Sequence, residues 1–366
     1  MRHFGQLGAD ARRRLFRTEP APFDRYSAAA TLATALGATL YSPAARRTLA
    51  VDVRRQAANG VVSMVLCLED AIADREVPAA EANLVEQLRL LAESPGAELP
   101  LLFVRVRTPE QIGDLTRRLG PAVRLLSGYV LPKFTEECGP AYLDQLAEAE
   151  EACGQRLFGM PVLESPEIAH LERRRSHLLA IADLLAKHRE RILAVRLGVT
   201  DVCSAYGLRR SAELTAYDLP LVAGVIGDVV NVLGRVDGTG FTVTGPVWEY
   251  FPGRGAGPLQ HTLLREIELD RANGLLGKTC VHPSQVPVVH ASSVVTHEEY
   301  CDARDVLRRD GGVLASSYTN KMNEAKPHRA WAERVLLRAE AFGVARPEIG
   351  FAELFAACLA AEVDGG

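Results

Sequence analysis

Apolar residues in this chain gather into short blocks, each closed by a polar or charged residue and followed by an amphipathic stretch. The blocks are ALGATLYSPA (35–44), VVSMVLCLEDAI (61–72), LPLLFVRV (99–106), LLSGYVLPK (125–133), RLFGMPVLES (156–165), ILAVRLGVTD (192–201), GFTVTGPVW (240–248) and GLLGKTCVHP (274–283). Between them, segments such as residues 79–94 carry leucines at three- and four-residue spacing, the period of a helix with one buried face. Continuous apolar runs are what parallel strands covered on both faces require. Eight strand–helix units over roughly 250 residues predict an α/β fold, a (β/α)8 barrel. The competing reading, an open doubly wound sheet, lacks a glycine-rich phosphate loop after its first strand.

The rhythm sets three regions. Residues 1–34, polar and arginine-rich, read as an arm with a short helix outside the main fold. Residues 35–295 form the barrel. Residues 296–366 form a helical extension, too long for a last barrel helix and suited to covering a barrel mouth, its own or a neighbour's.

Composition narrows the function. The 366 residues are 48% hydrophobic and 24% charged, with a formal net charge of -4. That balance is ordinary for a globular enzyme and gives no reason to expect nucleic acid as a partner. No apolar run is long enough to span a membrane, and the first residues lack the apolar stretch of a secretion signal, so a cytoplasmic location is expected. The seven cysteines stand singly, with no zinc or redox spacing, and read as free thiols. Only five of the 42 basic residues are lysines, which draws attention to each lysine near a strand end.

Barrel chemistry sits at the carboxyl ends of the strands. Those ends carry Ser42, Glu69 with Asp70, Arg105, Lys133, Glu164, Asp201, Trp248 with Glu249, and His282. Charges closing apolar strands are costly unless paired or ligated. Glu164 and Asp201, on neighbouring strands, suit a hard divalent cation that takes one or two protein carboxylates. Arg105 suits a substrate carboxylate, bound through paired hydrogen bonds. Glu69 and Asp70 can bind metal-held waters or pair with Lys133. A Schiff base at Lys133 is opposed by the acids around it. Ser42, before a proline, is weaker evidence, since a serine there is more often a plain turn residue than a ligand.

At these residues the chain resembles the citrate lyase β-subunit family, within the HpcH/HpaI aldolase superfamily. The matching pieces are LYSPA, VLCLEDAI, VRV, LPK, VLESPEI, LGVTDV and GKTCVHPSQV, in family order from about residue 40 to 286. The resemblance implies a TIM barrel that breaks or forms C–C bonds next to a thioester or a 2-keto acid. By position it implies Glu164 and Asp201 as Mg2+ ligands, with Mn2+ as the alternate ion, and Arg105 on the substrate carboxylate. Glu69 and Asp70 would stand behind them, holding the ligands in place, and Lys278 and His282 would shape the wall or the acyl-carrier side. Two segments depart from the pattern. TNKMNEAKPH places Glu324 where relatives carry an aspartate, donated between subunits as acid/base, and GPVWEYF differs from the usual seventh strand. Both departures point to a divergent subgroup resembling the lyases of tellurium-resistance-type operons.

The resulting expectation is a Mg2+-dependent C–C lyase for a 2-oxo or 2-hydroxy acid or its CoA or carrier thioester, working through a metal-stabilised enolate. The resemblance implies a homotrimer or homohexamer. A thioester hydrolase on the same barrel and a non-catalytic assembly subunit are the competing classes.

Overall fold

The computed structural model describes residues 1–93, 98–251 and 260–364. Each apolar block forms a strand: β1 (Ala38–Pro43), β2 (Ser63–Cys67), β3 (Leu101–Arg105), β4 (Leu126–Leu131), β5 (Phe158–Leu163), β6 (Arg196–Leu197), β7 (Gly245–Trp248) and β8 (Lys278–Cys280). All neighbours pair in parallel, in the order β6-β5-β4-β3-β2-β1-β8-β7. The ring closes between β6 and β7 through the Val195–Val243 bridge, with Val195 N–H donating to Thr242 O at 2.8 Å. The eight strands form a parallel barrel with helices outside, as the rhythm predicts.

Successive strand residues face opposite ways, and the core divides accordingly. Val65, Phe103, Val130, Phe158 and Met160 fill the barrel interior. Leu66, Leu102, Val104 and Leu131 pack outward against the helices. The helix expected over 79–94 runs Val77–Glu93, with Leu84, Leu88 and Leu91 buried; residue 94 lies outside the described residues. Among the described residues no helix is long and apolar enough to cross a membrane, and all seven cysteines are free.

Both chain ends differ from expectation. The first 34 residues are not a peripheral arm. His3, Phe4, Phe16 and Phe23 are buried, and Leu32 and Leu36, in and just after the helix Ala29–Ala35, join the interior cluster. That helix plugs the amino end of the barrel, where the interior needs a lid and the arm's apolar residues supply it. The extension does not cover the barrel's own mouth. Its helix Arg329–Phe342 packs on Ala29–Ala35, and Phe342 enters the same interior cluster. The strand Phe16–Thr18 pairs antiparallel with Val344–Ala345, tying the two ends together.

Candidate active site

The carboxyl end of the barrel holds a pocket of about 360 Å³. Arg105 ends β3 at its centre. Its Nη2 lies 2.8 Å from Glu69, 3.2 Å from Asp70 and 2.8 Å from Glu164. Its Nε is buried without a partner. Burial pulls the guanidinium pKa down, but the carboxylates of Glu164 and Glu69 outweigh it and hold the group above its ordinary value.

Lys133 follows β4 and takes a positive φ of 48°. This left-handed turn, unfavourable for a side chain with a Cβ, aims its backbone N–H at Glu164 Oε1, 3.0 Å away. Its Nζ meets Glu69 at 2.8 Å and Asp70 at 3.6 Å. The hydrogen bond to Glu69 raises the ammonium pKa, which opposes an imine-forming role.

Glu164 follows β5 and is almost fully buried. Desolvation lifts its carboxyl to about 7 despite Arg105 and the Lys133 N–H; the nearby charges of Asp201 and Glu69 add to the rise. Asp201 is not at a strand end. β6 stops at Leu197, and Asp201 sits in the first turn of the short helix Val199–Ser204. Its carboxyl pKa is raised by burial and then by Asp70. Between them, Gly198 has a steric role: a Cβ there would stand 2.2 Å from Glu164 Oε2 and 2.3 Å from its Cβ. Thr200 Oγ1 donates to Glu249 at 3.1 Å, linking this turn to the end of β7.

Four carboxylates (Glu69, Asp70, Glu164, Asp201) therefore face two cations (Arg105, Lys133). Asp201 is in no ion pair among the described residues, and it lines the pocket beside Glu164, whose carboxyl pKa, like that of Asp201, is raised first by burial. The donors are all hard oxygens. Among the described residues no group of three or more His, Cys, Asp or Glu side chains is placed to hold an ion. Two carboxylates alone fit Mg2+, which fills the rest of its shell from water and substrate.

Strand parity corrects three expectations. Ser42 is outside the pocket; its neighbour Tyr41 lines it. Lys278 is not a wall residue. It points into the helix layer, fully buried, with Glu266 at 2.9 Å and Asp270 at 2.6 Å. His282 also does not line the pocket. Its Nδ1 is 2.8 Å from Ser284 Oγ, and its ring stacks on Phe251 at 4.6 Å, while Val281 lines the pocket. Glu324 lies on the hairpin Val313–Ala315/Met322–Glu324, and its backbone N–H donates to His328 Nδ1 at 3.0 Å; no part of this hairpin lines the pocket. Sequence reasoning missed Tyr41, Arg196 and Thr279, all lining residues. An arginine inside the apolar run AVRLG was the available signal.

A parallel barrel whose mouth gathers carboxylates around one arginine defines a (β/α)8 enzyme with an oxygen-donor site. A family model described as a C–C bond lyase of the TIM-barrel fold matches residues 30–344, and the chain belongs to that family of carbon–carbon lyases. No curated protein sequence matches the chain significantly. Among solved structures it is similar to the protein CitE of Mycobacterium tuberculosis in complex with magnesium, acetoacetate and coenzyme A. Identity is 22%, coverage 84% of this chain and 99% of that one, and the TM-score 0.55. It also matches a citrate lyase β subunit of M. tuberculosis complexed with oxaloacetate and magnesium (20% identity, 71% and 98% coverage, TM-score 0.47). RipC from Yersinia pestis matches at 18% identity, with 71% and 95% coverage and a TM-score of 0.47.

Proposed function

We propose that this protein is a Mg2+-dependent C–C bond lyase acting on a 2-oxo or 2-hydroxy acid, or on its acyl thioester. The observation that carries this reading is the placement of Glu164 and Asp201 in one pocket at the carboxyl end of the barrel, with Asp201 in no ion pair among the described residues. These two residues would hold Mg2+, or Mn2+ in its place. When bound, the ion supplies Lewis-acid stabilisation of charge developing on a substrate carbonyl oxygen.

The chain's own residues do the rest. Arg105 offers an unpaired buried Nε and a fixed positive charge to a substrate carboxylate. Glu69 and Lys133 hold Arg105 and Glu164 in place: Glu69 pairs with Arg105, and Lys133 donates its backbone N–H to Glu164. Asp70, half-exposed at the rim within 3.6 Å of the Lys133 ammonium, is placed as a carboxylate base to take a proton from the substrate.

Assembly into a homotrimer or homohexamer belongs to the same reading, with Glu324 serving a neighbouring subunit's pocket as acid/base. Its hairpin supports this: Val313, Tyr318 and Met322 are all exposed apolar side chains around it. A cytoplasmic location is part of the reading as well.

The test is calorimetric titration of the full chain with Mg2+, followed by product analysis on keto and hydroxy acids and their CoA thioesters. Asp201→Ala is expected to weaken Mg2+ binding by at least about tenfold and to abolish turnover. Unchanged metal binding in that variant would overturn the assignment. Release of CoA with the acid's carbon skeleton intact would instead identify a thioester hydrolase.

A further inference from the structure

Arg196 is the residue the proposed function leaves unexplained. It lies within β6, is 1% exposed, and its side chain enters the barrel interior at the floor of the pocket. Its Nη2 donates to Thr279 Oγ1 at 2.6 Å, and Nη1 lies 3.9 Å from Met160 Sδ. Its guanidinium carbon stands 5.5 Å from the Tyr41 ring centre. Among the described residues, no carboxylate pairs with it. The other buried cations each meet one: Arg174 with Asp228, Arg210 with Glu266, Lys278 with Glu266 and Asp270, and Arg338 with Glu299. A buried cation without a counter-charge is costly, and a hydrophobic side chain would fill the same space without that penalty. The site carboxylates Asp70, Glu164 and Asp201 line the same pocket, but among the described residues none forms an ion pair with Arg196, so a direct counter-charge for its guanidinium has to come from a ligand.

The register gives the depth. Val162 of β5 pairs with Arg196, and Leu163 pairs with Leu197. Glu164 and Gly198 form the next inward-facing layer, in contact with each other. Arg196 thus lies one layer below Glu164, its backbone about 6–7 Å further down the strands. Thr279 accepts from Arg196, which leaves its own hydroxyl proton to donate into the same space.

We propose that Arg196 and Thr279 form an anion-binding floor, and that the substrate is a compact acid with a second anionic group, a carboxylate or a phosphate, that reaches it. One end would lie near Glu164, Asp201 and Arg105, and the other on Arg196. The first end rests on the proposed lyase reading; the floor rests on Arg196 itself. Mono-anionic acids would leave the guanidinium unmatched and bind more weakly.

The test uses the full-length protein with Mg2+ present and two matched pairs of probes: 2-oxovalerate with 2-oxoglutarate, and glycerate with 3-phosphoglycerate. Calorimetry is expected to show the doubly anionic member bound at least about tenfold tighter in one pair. The pair that discriminates identifies carboxylate or phosphate. Arg196→Met is expected to reduce the preference to less than about twofold and to leave binding of the mono-anionic member unchanged; Arg196→Lys should retain part of it. Equal binding within both pairs by the wild-type protein overturns the proposal without any variant. An undiminished preference in a folded Arg196→Met protein overturns it too. Mg2+ titration without acid reports separately on Glu164 and Asp201. No Mg2+ binding, or acid binding of the same strength with and without Mg2+, would sink the lyase reading, and an Arg196-dependent preference would still leave the anion floor standing.

Discussion

Gly198 is where one missing atom sets the site. The space its Cβ would take is filled by Glu164, backbone-proximal Cβ included, so Glu164 cannot simply swing aside. Gly198→Ala is expected to keep the fold, since φ at this position is negative at -97°, and to weaken Mg2+ affinity by at least about tenfold. Calorimetry with a parallel thermal melt checks both parts; a lowered melting temperature with normal metal binding would contradict it. At this scale much was legible in the sequence. Glu69, Asp70, Arg105, Lys133, Glu164 and Asp201 were all readable as charges closing apolar runs, and the structure brings them to one mouth. Their partners were not legible. Nothing in the linear pattern says that one Arg105 nitrogen serves three carboxylates.

Strands β1 and β8 show what a one-residue difference in facing does. Tyr41 and Thr279 reach the pocket, while their neighbours Ser42 and Lys278 do not. Lys278 instead locks β8 to the helix Gln260–Ala272 through Glu266 and Asp270, and Tyr217 adds a hydrogen bond to Asp270 at 2.9 Å. Burial raises the Asp270 carboxyl to about 6 even with Lys278 beside it. Removing the ammonium would leave the buried Asp270 without a cation, while Glu266 would keep Arg210. Lys278→Met is expected to cost about 3–5 kcal/mol in urea denaturation while the metal affinity of the remaining folded protein stays normal. Loss of metal binding without loss of stability would return Lys278 to the active site.

Across the whole molecule, the two chain ends close the barrel from its amino side. His3 stacks on Phe342 at 4.1 Å, sits edge-on to His290 at 4.7 Å, and bonds Ala35 O through Nε2 at 2.9 Å. Burial lowers the His290 pKa to about 4, and burial followed by the charge of His290 lowers that of His3. The unfolded chain binds these protons near pH 6.5 and the folded one does not. Stability is therefore insensitive to these two groups above about pH 6.5 and falls as pH drops from there toward about 4, by up to about 3 kcal/mol for His290. Denaturation at pH 7 and pH 5 should show that slope, and a His3→Phe, His290→Leu double variant should flatten it. An equal slope in both proteins would contradict the account. Deletion of residues 296–366 is expected to destroy cooperative folding, because it uncovers the interior cluster at Phe342 and removes the partner of Phe16–Thr18. A fragment that melted like the full chain would show the extension to be an independent unit.

The sequence by itself determined the barrel, its eight strands and the acids at their ends, because burial on both faces and the expense of unpaired charge leave a local signature. Tertiary structure alone decided which neighbour in each strand faces the pocket, since parity counts from a register that no single strand contains. It also decided that the arm and the extension plug the amino end of the barrel, because their apolar residues meet only across the folded chain. Among the described residues it left Arg196 as the buried cation without a carboxylate, because pairing depends on what the other strands place opposite it.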